Sequence, residues 1–305
     1  MFAKGEEFIY ALCALYEHEN KMKVLQRIHP ILLVVIAMTS VQWGAALAKS
    51  LFAEFGAITI VFWRVALAAI MLLIIVRPAL RALSRQQWQT SLMFGIALVS
   101  MNVTYYLSLQ RLPLGLCVTI EFVGPLAVAV WHSHRALDFV WVALAALGIG
   151  LLNPFSGHVD AIGFVLALIA GACWGLYIIL GEKLGSATPG ALGLTIAMSV
   201  GSLLLVPVKI IDAPQWLNIL PALPFAAAVA LLSSVIPYSF EIEALRRMPT
   251  KVFGILMSME PACAAVIGFL VLGERLTLWQ CIAIGAVMTA SFGAARGASN
   301  VPMDA

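Results

Sequence analysis

The chain has 305 residues, of which 62% are hydrophobic and only 11% are charged, and its formal net charge is +3. Because a soluble domain carries roughly 25% charged residues, this composition excludes a soluble globular protein. It predicts an all-α, polytopic membrane protein that contacts the lipid bilayer and no nucleic acid.

Ten apolar segments are long enough to cross the roughly 30 Å hydrocarbon core of a bilayer as helices. In chain order they are predicted at residues 30–51, 57–77, 89–109, 114–132, 138–154, 160–181, 189–208, 222–241, 251–272 and 277–294. They are continuous runs rich in Leu, Val, Ile, Ala and Gly without a regular alternation of apolar and polar residues, which favours helices over a β-barrel. The sequence therefore predicts ten transmembrane helices.

The loop charges orient this bundle. With the amino terminus in the cytoplasm, thirteen of the 18 Lys and Arg residues would lie inside, four would lie outside, and Arg64 would lie within a span. Cytoplasmic loops carry an excess of Lys and Arg, so both termini are predicted to be cytoplasmic, which requires an even number of spans. Residues 1–29 lack the pattern of a cleaved signal peptide and are predicted to be a cytoplasmic extension or an over-extended start. Residues 296–305 are the predicted cytoplasmic tail.

Two halves of the chain carry matching motifs. The pairs are Trp43-Gly44 with Trp174-Gly175, Arg111-Leu112-Pro113 with Arg247-Met248-Pro249, and Pro125 with Pro261, the last two at an offset of 136 positions. These matches indicate five helices in residues 30–154 and five in residues 160–295. Because five is odd, the second half enters the bilayer inverted, as in secondary transporters whose substrate site lies near the midplane between the halves.

The five-plus-five arrangement, the Trp-Gly pairs and the Gly-Glu-Arg-Leu-Thr stretch at 273–277 resemble the EamA-type branch of the drug/metabolite transporter superfamily. Residues 44–52, 112–129 and 249–262 strengthen the resemblance, which covers about residues 30 to 295. It implies a secondary active exporter of small amino acids such as threonine and homoserine in the bacterial inner membrane, working by proton-coupled alternating access. Export of other small metabolites or drugs is the alternative.

Glu121 and Glu260 are isolated carboxylates within apolar segments. A charge near the bilayer centre costs at least roughly 2.5 to 3.5 kcal/mol, so such residues usually face a cavity, pair, or carry protons. In the repeat register Glu260 matches Gly124, one helical turn from Glu121, so the two acids approach the same depth from opposite halves. We expect a substrate or proton site here; the alternative is that each acid hydrogen-bonds a neighbouring helix and fixes packing.

An amino acid presents an ammonium, which a carboxylate can bind, and a carboxylate, which needs N–H, hydroxyl or cationic donors. Glu121 is expected to bind the ammonium. Glu260, or whichever acid is drier, is expected to carry a proton, and the sequence leaves this assignment open. The predicted partners are therefore a small-molecule amino acid and protons.

Polar and aromatic residues of other spans complete the predicted site. The expected substrate-binding residues besides the two acids are Gln42, Asn102, Tyr105, Tyr106, Trp174, Tyr177, Tyr238 and Ser258; the expected coupling or gating residues are Lys49, Arg64 and Glu241; the expected helix-breaking residues are Pro125, Pro237 and Pro261. Side chains three or four positions apart share a helical face, which groups Asn102 with the two tyrosines of its span, and Trp174 with Tyr177. The alternatives are core packing for the aromatic groups, snorkelling to the interface for Lys49, and solvation or pairing with Arg246 and Arg247 for Glu241.

Enzymatic function classes lack their residues in this sequence. All four Asp residues fall in predicted loops or the tail, and the motifs HExxH, GxSxG and GxxxxGK[ST] are absent. The five Cys residues are scattered without CxxC spacing, so neither a metal site nor a disulfide framework is indicated. The sequence predicts a transporter without a cofactor that draws on a gradient rather than on ATP, as a monomer or a homodimer.

Overall fold

A computed structural model of the chain describes residues 28–76, 84–131, 136–152, 159–187, 192–211, 221–245, 247–248 and 250–297. Most of the predicted extension (1–29), most of the predicted tail (296–305) and Arg246 lie outside these ranges. Within them the chain forms fourteen α-helices and one π-helical turn, and no β-strand. The predicted all-α class is confirmed.

The helices are α1 (Pro30–Ser50), α2 (Phe52–Phe55), α3 (Ala57–Val76), α4 (Arg85–Leu109), α5 (Leu114–Glu121), α6 (Val123–Trp131), α7 (Ala136–Gly150), α8 (Ala161–Ala187), α9 (Leu192–Ile211), α10 (Leu223–Ala230), α11 (Ile236–Leu245), α12 (Thr250–Met257), α13 (Glu260–Leu272) and α14 (Leu278–Gly297). The π turn (Leu231–Val235) joins α10 to α11.

Seven helical segments of the described chain are long and apolar enough to cross a membrane: Pro30–Ser50, Ala57–Val76, Arg85–Leu109, Ala161–Gly181, Leu223–Glu241, Val252–Leu272 and Leu278–Arg296. The other three predicted spans, the fourth, fifth and seventh, correspond to shorter apolar helices at Leu114–Val128, Phe139–Gly150 and Leu192–Pro207. The seven long spans are sufficient to make the chain a multi-pass membrane protein, without the three shorter helices.

The start of α4 differs from the predicted start of the third span at residue 89. The Ser84 hydroxyl accepts a hydrogen bond from the Gln87 backbone N–H at 3.2 Å, and the Gln87 side chain accepts one from the Ser84 N–H at 2.9 Å. This capping box satisfies backbone donors that the first turn would otherwise leave free, so the helix begins at Arg85. Hydropathy alone missed this polar turn because its stabilisation comes from side-chain caps.

Three membrane segments are interrupted within their length. α5 gives way to α6 at Phe122, α12 gives way to α13 at Ser258 and Met259, and the π turn separates α10 from α11. A proline lies in the first turn after each interruption: Pro125, Pro261 and Pro237, respectively. Proline has no backbone N–H to donate. The carbonyl groups four residues before these prolines, those of Glu121, Met257 and Ser233, therefore lack the usual hydrogen bond from that position. Free backbone groups at membrane depth are tolerated where they are buried in protein or line a polar site.

Glycines bring the helices beside these interruptions into backbone contact. A Cβ added at Gly171 of α8 would lie 2.5 Å from the Glu121 carbonyl oxygen, and one added at Gly175 would lie 3.3 Å from the Gly124 carbonyl oxygen. Gly44 of α1 lies equally close to the π turn, where an added Cβ would be 2.9 Å from the Ser233 nitrogen. Small residues allow membrane helices to approach this closely. The backbone position of Glu121 is thus fixed by direct contact with α8.

The two predicted halves share one main core. α8 packs against α4, α5 and α6, whereas α1 packs against the π turn, α11 and α13, and α5 packs directly on α13. At one end of the bundle Arg111 forms an ion pair with Asp160 at 3.4 Å. At the other end Arg247 donates to the Ile28 carbonyl oxygen at 2.9 Å. The first contact joins the chain near the starts of the predicted fourth and sixth spans, and the second joins it near the starts of the predicted first and ninth spans.

Candidate functional site

Glu121 and Glu260 both lie at helix interruptions in the middle of the bundle. Glu121 is the last residue of α5, Glu260 is the first residue of α13, and each is only 7% exposed. The Glu121 carboxylate interacts electrostatically with Glu260 and with Arg64. The two acids singled out from the sequence are thus neighbours, buried, and contributed by elements from different halves of the chain.

The partners of Glu260 are incomplete. The Gln42 amide of α1 donates a hydrogen bond to Glu260 Oε1 at 3.0 Å. Glu260 Oε2 and the Gln42 carbonyl oxygen are buried and have no hydrogen-bond partner among the described residues. Glu241 of α11 also interacts electrostatically with Glu260. A buried acceptor without a donor is costly, so these two oxygens keep an unused capacity to accept hydrogen bonds.

Arg64 is the buried cation of the same region. Its Nη2 donates to the Ser233 carbonyl oxygen at 2.8 Å, and its Nε donates to the Ser234 hydroxyl at 3.1 Å. The guanidinium carbon lies 5.1 Å from the centre of the Tyr106 ring, within the range of a cation–π contact. The Ser233 carbonyl is the group that Pro237 cannot bind, so the π turn supplies the acceptor that holds Arg64.

Aromatic rings surround the charged groups. Tyr106 lies 5.8 Å from Tyr105 and 5.5 Å from Phe52, centre to centre. Tyr177 lies 4.6 Å from Phe94 and 6.3 Å from Tyr238. Tyr105 and Tyr238 both interact electrostatically with Arg64 and Glu121. Three of the predicted lining tyrosines, Tyr105, Tyr106 and Tyr238, therefore interact with Arg64, and Tyr177 lies against Tyr238.

Other predicted residues lie close by but have local partners. The Asn102 amide donates to the Leu98 carbonyl oxygen of its own helix at 2.8 Å, and the Ser258 hydroxyl donates to the Ile255 carbonyl oxygen at 2.6 Å. Trp174 packs edge-on against Phe122 at 5.3 Å, in a different hydrophobic cluster from Tyr177. The expected common face of Trp174 and Tyr177 is therefore divided between two groups of contacts. Arg247, one of the two expected partners of Glu241, forms an ion pair with the nearby acid Glu243, at 3.8 Å between Nη1 and Oε1.

Lys49 has a partner that sequence reasoning did not assign. Its ammonium lies 2.6 Å from a Glu274 carboxylate oxygen and 2.5 Å from the Leu112 carbonyl oxygen. The other Glu274 oxygen accepts from the Leu114 backbone N–H at 2.7 Å, at the first residue of α5. Neither expectation for Lys49, a coupling or gating role or snorkelling to the interface, included this ion pair. Glu274 belongs to the 273–277 stretch, so the motif itself was the available signal.

The serines of the π turn were also missed. Ser233 and Ser234 hold Arg64, and the Ser40 hydroxyl of α1 donates to the neighbouring Leu232 carbonyl oxygen at 2.8 Å. The signal that could have found them is Pro237, which stands four residues after Ser233 and frees its carbonyl. Interrupted helices whose free backbone groups and buried charges converge in this way are typical of membrane transporters.

Comparison with known proteins identifies the family to which this chain belongs. The profile of the EamA-like transporter family matches residues 161–296. The chain is 45% identical over 267 residues to the threonine/homoserine exporter RhtA of Escherichia coli (strain K12), covering 87% of this chain and 90% of that protein. RhtA of Salmonella typhimurium (strain SL1344) matches with the same identity and coverage. The uncharacterized transporter YvbV of Bacillus subtilis is 24% identical over 188 residues, 56% of this chain and 60% of that protein.

A solved crystal structure has the same fold, with a TM-score of 0.56 over 86% of this chain and 96% of that chain at 17% identity. This likeness concerns the fold alone. The identity to the exporters over most of both chains shows the family: the chain belongs to the EamA-like transporter family. It is a multi-pass protein of the bacterial inner membrane, and its curated relatives are transporters rather than enzymes.

Proposed function

We propose that this protein is a secondary active exporter of small amino acids, with threonine and homoserine as the first substrates to test, and that it works by proton-coupled alternating access. The observation that carries the proposal is the pair of buried, interacting acids at helix interruptions, of which Glu260 keeps one oxygen unpaired within the described chain. The identity to the threonine/homoserine exporter RhtA over 90% of that protein supports the choice of substrate.

The proposed architecture is ten transmembrane helices in two inverted halves, with both termini in the cytoplasm. α5 and α12 support the repeat because each has eight residues and the two start 136 positions apart, the offset of the sequence motifs. An interruption and a proline follow each of them. The packing of α8 on α4, α5 and α6 parallels that of α1 on the π turn, α11 and α13. Both halves lie in one chain, so a monomer, or each copy in a homodimer, would contain a complete site.

The helix ends give the two acids different roles in this proposal. Glu121 stands at the C-terminal end of α5, where the helix dipole favours a cation, so the substrate ammonium binds there. Glu260 stands in the first turn of α13, where the dipole favours the ionised carboxylate, so a proton that binds its unpaired Oε2 is readily released again. Two interacting carboxylates repel when both are charged. An ammonium at one acid or a proton at the other relieves that repulsion, which couples the two ligands.

The membrane potential is large enough to drive this exchange. One elementary charge that enters the cell releases about 2.3 kcal/mol per 100 mV. That free energy sustains roughly a fifty-fold outward gradient of substrate at equal exchange of one proton for one neutral amino acid. Opening the site to one side at a time requires α5 and α13, which pack on each other, to separate at one end and close at the other.

Uptake into inverted membrane vesicles tests the proposal, because export from the cell becomes accumulation inside such vesicles. Radiolabelled threonine and homoserine are expected to accumulate when the vesicle interior is acidic, and less when the pH gradient is collapsed. Vesicles without the protein are the control. Equal accumulation with and without the protein would contradict amino acid export. Accumulation that does not depend on the pH gradient would support the proposed substrate but contradict proton coupling.

A further inference from the structure

We propose that Arg64 is the specificity-determining residue that binds the carboxylate of the exported amino acid, at a subsite formed by Arg64, Tyr106 and the π turn. This inference rests on amino acid export as proposed above and names which chemical group of the substrate each end of the site recognises. Glu121 takes the ammonium end.

The first argument is the fixed position of the guanidinium. Hydrogen bonds to Ser233 and Ser234 hold one edge of the group, and the Tyr106 ring lies 5.1 Å from its central carbon. A guanidinium has five N–H donors in a rigid fork that matches a carboxylate, and only two are used in these hydrogen bonds. A group whose plane is already held loses little further freedom when a carboxylate binds its remaining donors.

The second argument is that no carboxylate of the protein neutralises this cation by direct contact within the described residues. Arg64 is 5% exposed, and its hydrogen-bond acceptors are a carbonyl and a hydroxyl oxygen. A buried cation in a membrane protein is expensive and usually has an ionic partner or a function. Glu121 interacts with it electrostatically without forming an ion pair. The substrate carboxylate would supply the missing contact.

The third argument is that Arg64 and Glu121 together complement the two charges of a zwitterionic amino acid. A zwitterionic amino acid carries opposite charges on substituents of one carbon atom, so it needs a cation and an anion that face each other without touching. Arg64 and Glu121 are a cation and an anion that interact electrostatically without forming an ion pair. Tyr105 interacts with both of them, and the Tyr106 ring lies beside Arg64. A cationic compound without a carboxylate would satisfy Glu121 and be repelled by Arg64. The site therefore selects zwitterions over the organic cations that a drug exporter would carry.

The test compares threonine with threoninol, which keeps the ammonium and replaces the carboxylate by an alcohol. Binding of each to the purified full-length protein in detergent is measured by calorimetry. The wild-type protein is expected to prefer threonine. Arg64→Gln is expected to weaken threonine binding about 10- to 100-fold, as for the loss of charge-assisted hydrogen bonds. Threoninol binding is expected to stay the same or to become tighter, because the substitution removes the charge that repels its ammonium. The preference for threonine then disappears.

Two further variants separate recognition from folding. Arg64→Lys keeps the charge and should restore part of the preference. Ser234→Ala keeps the guanidinium but removes one of its positioning bonds, and should reduce threonine binding by about two- to fivefold with little change for threoninol. If Arg64→Gln or Ser234→Ala weakens both ligands equally, the residue only supports the structure and the inference is wrong. If the wild-type protein binds no threonine at all, the proposed substrate itself fails, which is a distinguishable result.

Discussion

Acidic side chains at opposite ends of the packed helices α5 and α13 differ in how completely they are paired. At one end of these helices, both oxygens of Glu274 have donors, Lys49 at 2.6 Å and the Leu114 N–H at 2.7 Å. At the other end, among the residues that the structure describes, Glu260 has one neutral donor and one unpaired oxygen, and Glu121 has interacting charges without an ion pair. A fully paired acid stabilises a structure, whereas an incompletely paired one keeps its capacity to bind.

The largest effect is expected from neutralising the incompletely paired acids. Glu121→Gln and Glu260→Gln should each reduce pH-driven threonine accumulation in inverted vesicles by about 100-fold or more, because each removes a charge that a ligand requires. Exchange of unlabelled for labelled threonine without a pH gradient should separate them. Glu121→Gln should lose this exchange as well, since it would lose the ammonium site, while Glu260→Gln should keep it.

Glu54 provides a matched control for these variants, because it is an exposed acid on α2. Glu54→Gln should transport at the wild-type rate at equal expression. If both Glu121→Gln and Glu260→Gln accumulate threonine at the wild-type level, the two acids only support packing. They would then not differ from Glu274 in function. If Glu260→Gln loses the exchange and Glu121→Gln keeps it, Glu260 binds the ammonium and Glu121 carries the proton.

The contrast also extends to how the acids are positioned. Glu274 is held by its own bonds, whereas the backbone of Glu121 is held by contact with Gly171 of α8. Gly171→Ala should lower the free energy of unfolding by about 1–3 kcal/mol, because the new methyl group overlaps a main-chain carbonyl. It should also impair transport by displacing Glu121. Melting of the purified protein in detergent and vesicle uptake measure the two effects.

Gly285 of α14 is the control for that substitution, since a Cβ there meets nothing within 4 Å. Gly285→Ala should leave transport unchanged and raise stability slightly, by about 0.5–1 kcal/mol, through helix propensity. A Gly171→Ala variant with wild-type stability and transport would show that α5 can move away from α8 without consequence, and that main-chain contact does not position Glu121.

The sequence was sufficient for features that depend on one residue and its local chemistry. Long apolar runs predicted the helices, and isolated charges predicted Glu121, Glu260 and Arg64 as the residues to examine. It was insufficient where two distant segments supply the two halves of one interaction. Lys49 and Glu274 stand 225 positions apart, and nothing in either segment specifies the other as its partner. The hold of Ser233 on Arg64 likewise depends on the packing of α3 against the π turn.

The smallest effect is expected from the Lys49 and Glu274 pair, and it bears most directly on the comparison. Lys49→Met, Glu274→Gln and the double variant form a cycle that isolates the interaction between the two side chains. We expect a coupling of about 1 kcal/mol in the stability of the purified protein, because the pair is charge-assisted but its side chains remain partly exposed. Threonine accumulation should stay within about threefold of wild type in all three variants, since neither side chain touches the proposed substrate site. A transport loss as large as that of Glu260→Gln, at unchanged stability, would mean that a fully paired acid can also be a working part of the exporter, and pairing would no longer distinguish the two regions.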